Sequence, residues 1–81
     1  MRISYDPRYN IAYIKLREKT AQVETIHISD ELNIDILPDG TVYGIELLNA
    51  NEQLEIAKEK AFTFQDESTG KKLRLPIPSI R

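Results

Sequence analysis

Eighty-one residues amount to one domain, and a chain this short buries only about 60–65% of the surface its unfolded form exposes, so its core must be thin. A composition of 41% hydrophobic and 30% charged residues excludes wholesale disorder, and the lack of cysteine excludes a disulfide framework or a thiolate metal site as a supplement to packing. The formal net charge of −2 gives no ground for a nucleic-acid or acidic-membrane partner, yet it is unevenly spread: residues 1–60 carry seven Lys+Arg against eleven Asp+Glu, and residues 61–81 four against two.

At the N-terminus, Met1-Arg2-Ile3-Ser4-Tyr5-Asp6-Pro7 lacks the apolar run of a secretory signal, and no window approaches a membrane span. A cytoplasmic location is the expectation. Ile3 and Tyr5 alternate with Arg2 and Ser4, predicting a first strand that stops at the turn chemistry of Asp6-Pro7-Arg8-Tyr9-Asn10. In Ile11 to Arg17, Ala12, Ile14 and Leu16 fall on one face, predicting a half-buried second strand in a hairpin with the first. Val23 to Ile28 is β-branched enough for a third, with Ile26 and Ile28 inward and His27 outward.

Leu32, Ile34 and Ile36 alternate with Asn33 and Asp35 in the clearest period-2 pattern of the chain. Pro38-Asp39-Gly40 then supplies a turn, and Thr41 to Leu48 returns as the partner strand, with Tyr43, Ile45 and Leu47 on one face. Gly44 inside that strand implies a bulge or a close neighbour. Near Asn49 the period becomes helical. Asn49 or Asn51 is the expected cap of one short helix near residues 50–61, with Glu52 in its first turn and Lys58 and Lys60 in its last. Ala50, Leu54, Ala57 and Ala61 form its packing stripe, with Ile56 at the margin.

After Phe62 and Phe64, the polar run Gln65 to Lys72 reads as a loop, and Leu73-Arg74-Leu75 as one more short edge strand. Pro76-Ile77-Pro78-Ser79-Ile80-Arg81 predicts an extended ending. The expected architecture is therefore α+β: an antiparallel sheet of about four to five strands built from hairpins, one short helix and an extended C-terminal tail. It divides into a β-rich unit at 1–64 and a basic, proline-containing segment at 65–81.

Few constellations here carry chemistry. His27, the single histidine, stands near Ser29, Asp30 and Glu31, but sequence neighbours seldom converge on one reacting atom, and one histidine without cysteine falls short of a zinc set. Asp30, Glu31, Asp35 and Asp39 lack the alternating spacing of a calcium loop. Pro38-Asp39-Gly40 lacks the glycines and following lysine of a phosphate cradle. No catalytic residue, cofactor or metal is expected. The candidate partner-binding residues are Lys71, Lys72, Leu73, Arg74, Leu75, Ile77 and Arg81, where cations interleave with apolar side chains and prolines resist closed secondary structure.

Tyr5-Asp6-Pro7, Ala12-Tyr13-Ile14-Lys15-Leu16, Ile34-Asp35-Ile36 and Asp39 through Ala50 occur in an order that resembles the small prokaryotic family called domain of unknown function 2283, over about residues 1–54. The resemblance implies a compact β-rich domain followed by a short helix and transfers no catalytic residues. It also implies an antitoxin-like binding role, because members stand beside small toxin-like proteins in some gene neighbourhoods. The expected function is a non-enzymatic protein–protein interaction module that self-associates as a homodimer and binds a protein partner. The alternative is a nucleic-acid-binding accessory protein that uses the basic C-terminal segment.

Overall fold

The computed structural model describes residues 1–19 and 21–77. Among the described residues seven strands and two short helices follow in order: β1 (Arg2–Asp6), β2 (Ile11–Lys15), β3 (Glu24–Ser29), β4 (Leu32–Ile36), β5 (Val42–Leu48), α1 (Ala50–Gln53), α2 (Ile56–Glu59), β6 (Ala61–Gln65) and β7 (Lys72–Pro76). The first five form one antiparallel sheet in the order β1-β2-β5-β4-β3, and β6 and β7 form a separate two-stranded hairpin. The fold is α+β and mostly strand, as the alternating patterns require.

Register sorts the large sheet into two faces, because directly opposed residues of an antiparallel pair point the same way. Ile3 stands opposite Ile14, Ile14 opposite Ile45, Ile45 opposite Ile34 and Ile34 opposite Ile26, so an isoleucine row crosses all five strands. Ala12, Leu47 and Leu32 make a second row beside it. The other face carries Arg2, Lys15, Tyr13, Glu46, Asn33, Asp35, His27 and Thr25.

Two bulges adjust this pattern. Asp35 pairs with Gly44 and Ile36 with Val42, which leaves Tyr43 as the extra residue; it does not continue the face of Ile45 and Leu47. His27 pairs with Asn33 and Ser29 with Leu32, leaving Ile28 out of the ladder at the sheet's edge. Ile26 lies on the apolar face as expected, although it is 39% exposed, whereas Ile28, which the bulge takes out of the ladder, is 53% exposed and does not join it. An edge strand has one neighbour, so these side chains are covered only in part.

At the β4–β5 connection the expected turn forms. Gly40 N–H donates to Leu37 O at 2.9 Å and Leu37 N–H to Thr41 O at 2.9 Å, while Gly40 takes φ 91°, which a glycine accepts without steric cost. Asp39 Oδ1 accepts from Thr41 N–H and from the Thr41 hydroxyl, and these bonds hold its carboxyl below the usual range.

The single expected helix is divided. Glu55 adopts φ 51° between α1 and α2, and Lys60 ends α2 at φ 53°, after which Ala61 starts β6 instead of completing a helical stripe. Of that stripe only Ala50 is buried, and Leu54 is exposed. An alanine-rich stripe offers too little apolar area to hold a continuous helix to the sheet. Nor does Asn49 act as a side-chain cap. It is left-handed itself, and the Asn51 N–H is taken by Asn10 Oδ1 from the β1–β2 turn at 2.8 Å.

Residues 61–77 form more structure than a tail. Phe62-Thr63-Phe64 is strand and pairs with Leu73-Arg74-Leu75. The expected polar loop closes as a turn in which Asp66 N–H donates to Lys71 O and Gly70 N–H to Asp66 O, both at 2.8 Å. The hairpin therefore straddles the expected division at 64/65.

Candidate interaction surface

Hairpin register separates the candidate residues into two groups. Phe62 opposes Leu75 and Phe64 opposes Leu73, so these four share one face; Thr63 opposes Arg74 and Gln65 opposes Lys72 on the other. The apolar four are 43%, 47%, 58% and 57% exposed respectively, a concentrated patch on a two-stranded ribbon. Lys71 sits at the end of the connecting turn. Ile77 is half-buried and continues the ladder by donating its N–H to Lys60 O at 2.9 Å. Arg81 lies outside the described residues. The interleaving of cations and apolar residues along the sequence thus becomes a basic face and an apolar face in space. Phe62 and Phe64, which complete the apolar face, were not among the candidate residues, although their spacing at i, i+2 is the signal that identifies them.

The polar face of the large sheet is knitted across strands. Tyr13 donates its hydroxyl proton to Asp35 Oδ2 at 2.6 Å, and Thr25 donates to Asp35 Oδ1 at 2.6 Å. Asn33 Nδ2 donates to Glu46 Oε1 at 2.9 Å, and Asn33 Oδ1 lies 2.7 Å from His27 Nδ1, which carries the proton in that tautomer. Burial raises the Tyr13 pKa well above its ordinary value, and the bond to Asp35, the negative charge of Asp35, and Tyr43 and Glu46 add to the shift. Both oxygens of Asp35 are committed to hydroxyl donors, so the carboxylate ties β2, β3 and β4 together.

The acidic residues close in sequence are separated in space. Asp39 belongs to the β4–β5 turn, and Glu31 accepts from Asn49 Nδ2 at 3.1 Å at the sheet's opposite end. Among the described residues no group of three or more His, Cys, Asp or Glu is placed to hold a metal ion. Ser29 Oγ accepts the Glu31 N–H at 3.3 Å while His27 turns to Asn33, so the histidine and serine do not converge. Pairing of β1 with β2 also brings Arg2, Lys15 and Arg17 around an open depression of about 270 Å³ with Met1 and Glu18, a cluster invisible along the chain. Glu18 takes up part of that charge through an ion pair with Lys15 at 3.5 Å.

A second group absent from the sequence reading centres on Asn10. Its side chain accepts from Tyr5 at 3.1 Å and donates to Asn51 Oδ1 at 2.6 Å and Asn49 Oδ1 at 3.3 Å, while its carbonyl accepts the Ala50 N–H at 3.0 Å. These bonds bind the first turn to the end of β5 and the start of α1, ahead of the hairpin.

Among the described residues no helix is long and apolar enough to cross a membrane. Neither the curated proteins nor the solved structures contain a match to the chain. A family profile does match, over residues 2–51, which spans the five-stranded sheet and the entry into α1 and leaves the hairpin outside. On that match across more than half its length, the chain belongs to the family described as protein of unknown function DUF2283.

Proposed function

We propose that this protein is a non-enzymatic protein–protein interaction module whose binding element is the β6–β7 hairpin. The observation that carries this reading is the exposed face of Phe62, Phe64, Leu73 and Leu75, backed by Lys72 and Arg74 on the reverse face. An isolated two-stranded hairpin is marginal in water, and aromatic and leucine side chains at these exposures are stabilised by contact with another surface. The cations suit an acidic partner, and on the family resemblance the binding is antitoxin-like, with a small toxin-like protein as the captured chain.

Affinity capture with mass spectrometry, using the full chain and its Lys72→Glu/Arg74→Glu variant, tests the role of the basic face. The expected result is one partner whose capture falls about tenfold or more on charge reversal. Capture that is indifferent both to this change and to Phe64→Ser on the apolar face overturns the hairpin as the binding element. Retention of DNA or RNA that weakens steeply with salt, with no protein partner, replaces this reading with nucleic-acid binding.

A further inference from the structure

Among the described residues the large sheet also has an apolar face without a second layer. Stable domains place a sheet's apolar face against another layer, yet among the described residues the only buried apolar side chains are Ala12, Leu37 and Ala50. Ile14, Ile34 and Ile45, at the centre of the isoleucine row, are only half-buried, and Ile3 and Ile26 at its ends are exposed. One chain therefore carries two unsatisfied apolar surfaces, a five-stranded face and a two-stranded one.

Area and size give the same indication. The chain exposes 6358 Å². A compact monomer of its 9.3 kDa mass exposes about 5,000 Å². The excess of roughly 1,400 Å² per chain, doubled for a symmetric pair, falls in the range that obligate homodimers bury. The radius of gyration is 14.3 Å, whereas a compact chain of this length has one of about 12 Å.

We propose that the missing layer is supplied by a second copy of this chain: the β6–β7 hairpin of each copy lies across the isoleucine row of the other, apolar face to apolar face. This rests on the hairpin being a binding element and assigns its apolar face to the second copy, with the basic face left to the captured protein. Charge favours hairpin on sheet over hairpin on hairpin, since residues 61–81 carry four Lys+Arg against two Asp+Glu and residues 1–60 carry seven against eleven. A two-fold arrangement makes both contacts at once, and it leaves Lys72 and Arg74 facing outward for an acidic partner.

Because the natural chain has no cysteine, engineered pairs report the contact directly. Light scattering on the full chain is expected to give twice the chain mass. Mixing Phe64→Cys with Ile34→Cys chains under oxidation is expected to yield a covalent heterodimer, while neither chain links efficiently to itself. A monomeric mass at micromolar concentration overturns the proposal. So does efficient Phe64→Cys self-linking, which places hairpin against hairpin, or an intrachain bond in the Phe64→Cys/Ile34→Cys double variant with loss of the dimer, which places the hairpin on its own sheet. A monomer that still captures a partner through the hairpin refutes self-association and leaves the proposed function standing. A dimer linked as expected, with no hairpin-dependent capture of another protein, supports self-association alone.

Discussion

Gly44 and Tyr13 show how one missing side chain shapes the polar face. A Cβ built on Gly44 would collide with the hydroxyl end of the Tyr13 phenol, which packs over that glycine and directs its hydroxyl to Asp35. Gly44→Ala must therefore expel the ring, and we expect a loss of about 1–3 kcal/mol in denaturant unfolding. In the Tyr13→Ala background the same substitution should cost much less, since the clash is gone. Spectrophotometric titration supplies a second readout. A phenol with its folded pKa raised contributes stability that is present below about pH 10 and lost as the pH rises towards the folded value. One phenol per chain should thus ionise late in the native protein, and Gly44→Ala should abolish that late phase. Equal costs in both backgrounds would show that the ring is not what Gly44 accommodates.

Among the elements, the interruption between α1 and α2 separates the helical pattern of the sequence from the backbone it forms. Glu55 at φ 51° is a side-chain-bearing residue in the left-handed region, where glycine is free of the Cβ penalty. Glu55→Gly is expected to raise stability by about 0.5–1 kcal/mol in chemical denaturation, after allowing for the glycine's greater freedom when unfolded. A continuous helix over 50–61 predicts the opposite sign, a loss of about 1 kcal/mol for glycine in a helix interior. The Glu55–Lys58 ion pair lost on substitution is exposed and does not decide the sign. The strands of the large sheet were legible because each has its own period-2 pattern and turn residues. β6 was obscured because Ala61 also fits the preceding helical stripe and only two phenylalanines mark the alternation.

For the whole molecule, the shortage of core is the dominant property. Among the described residues one buried leucine and two buried alanines leave little hydrophobic stabilisation to offset chain entropy, so the proposed dimer shares stability between copies. The melting temperature is therefore expected to rise with protein concentration across a hundredfold dilution series followed by circular dichroism. A concentration-independent melt would assign all stability to the single chain. The alternation of apolar and polar residues and the Pro-Asp-Gly turn determined, without further help, the α+β class, the β1–β2 and β4–β5 hairpins and the family resemblance, because strand period and turn chemistry are local. Only the tertiary structure decided the bulges that displace Tyr43 and Ile28, the Asn10 node, the division of the helix and the two faces of the C-terminal hairpin. Each of these depends on which distant residue stands opposite, and that pairing is set by the global register of the strands.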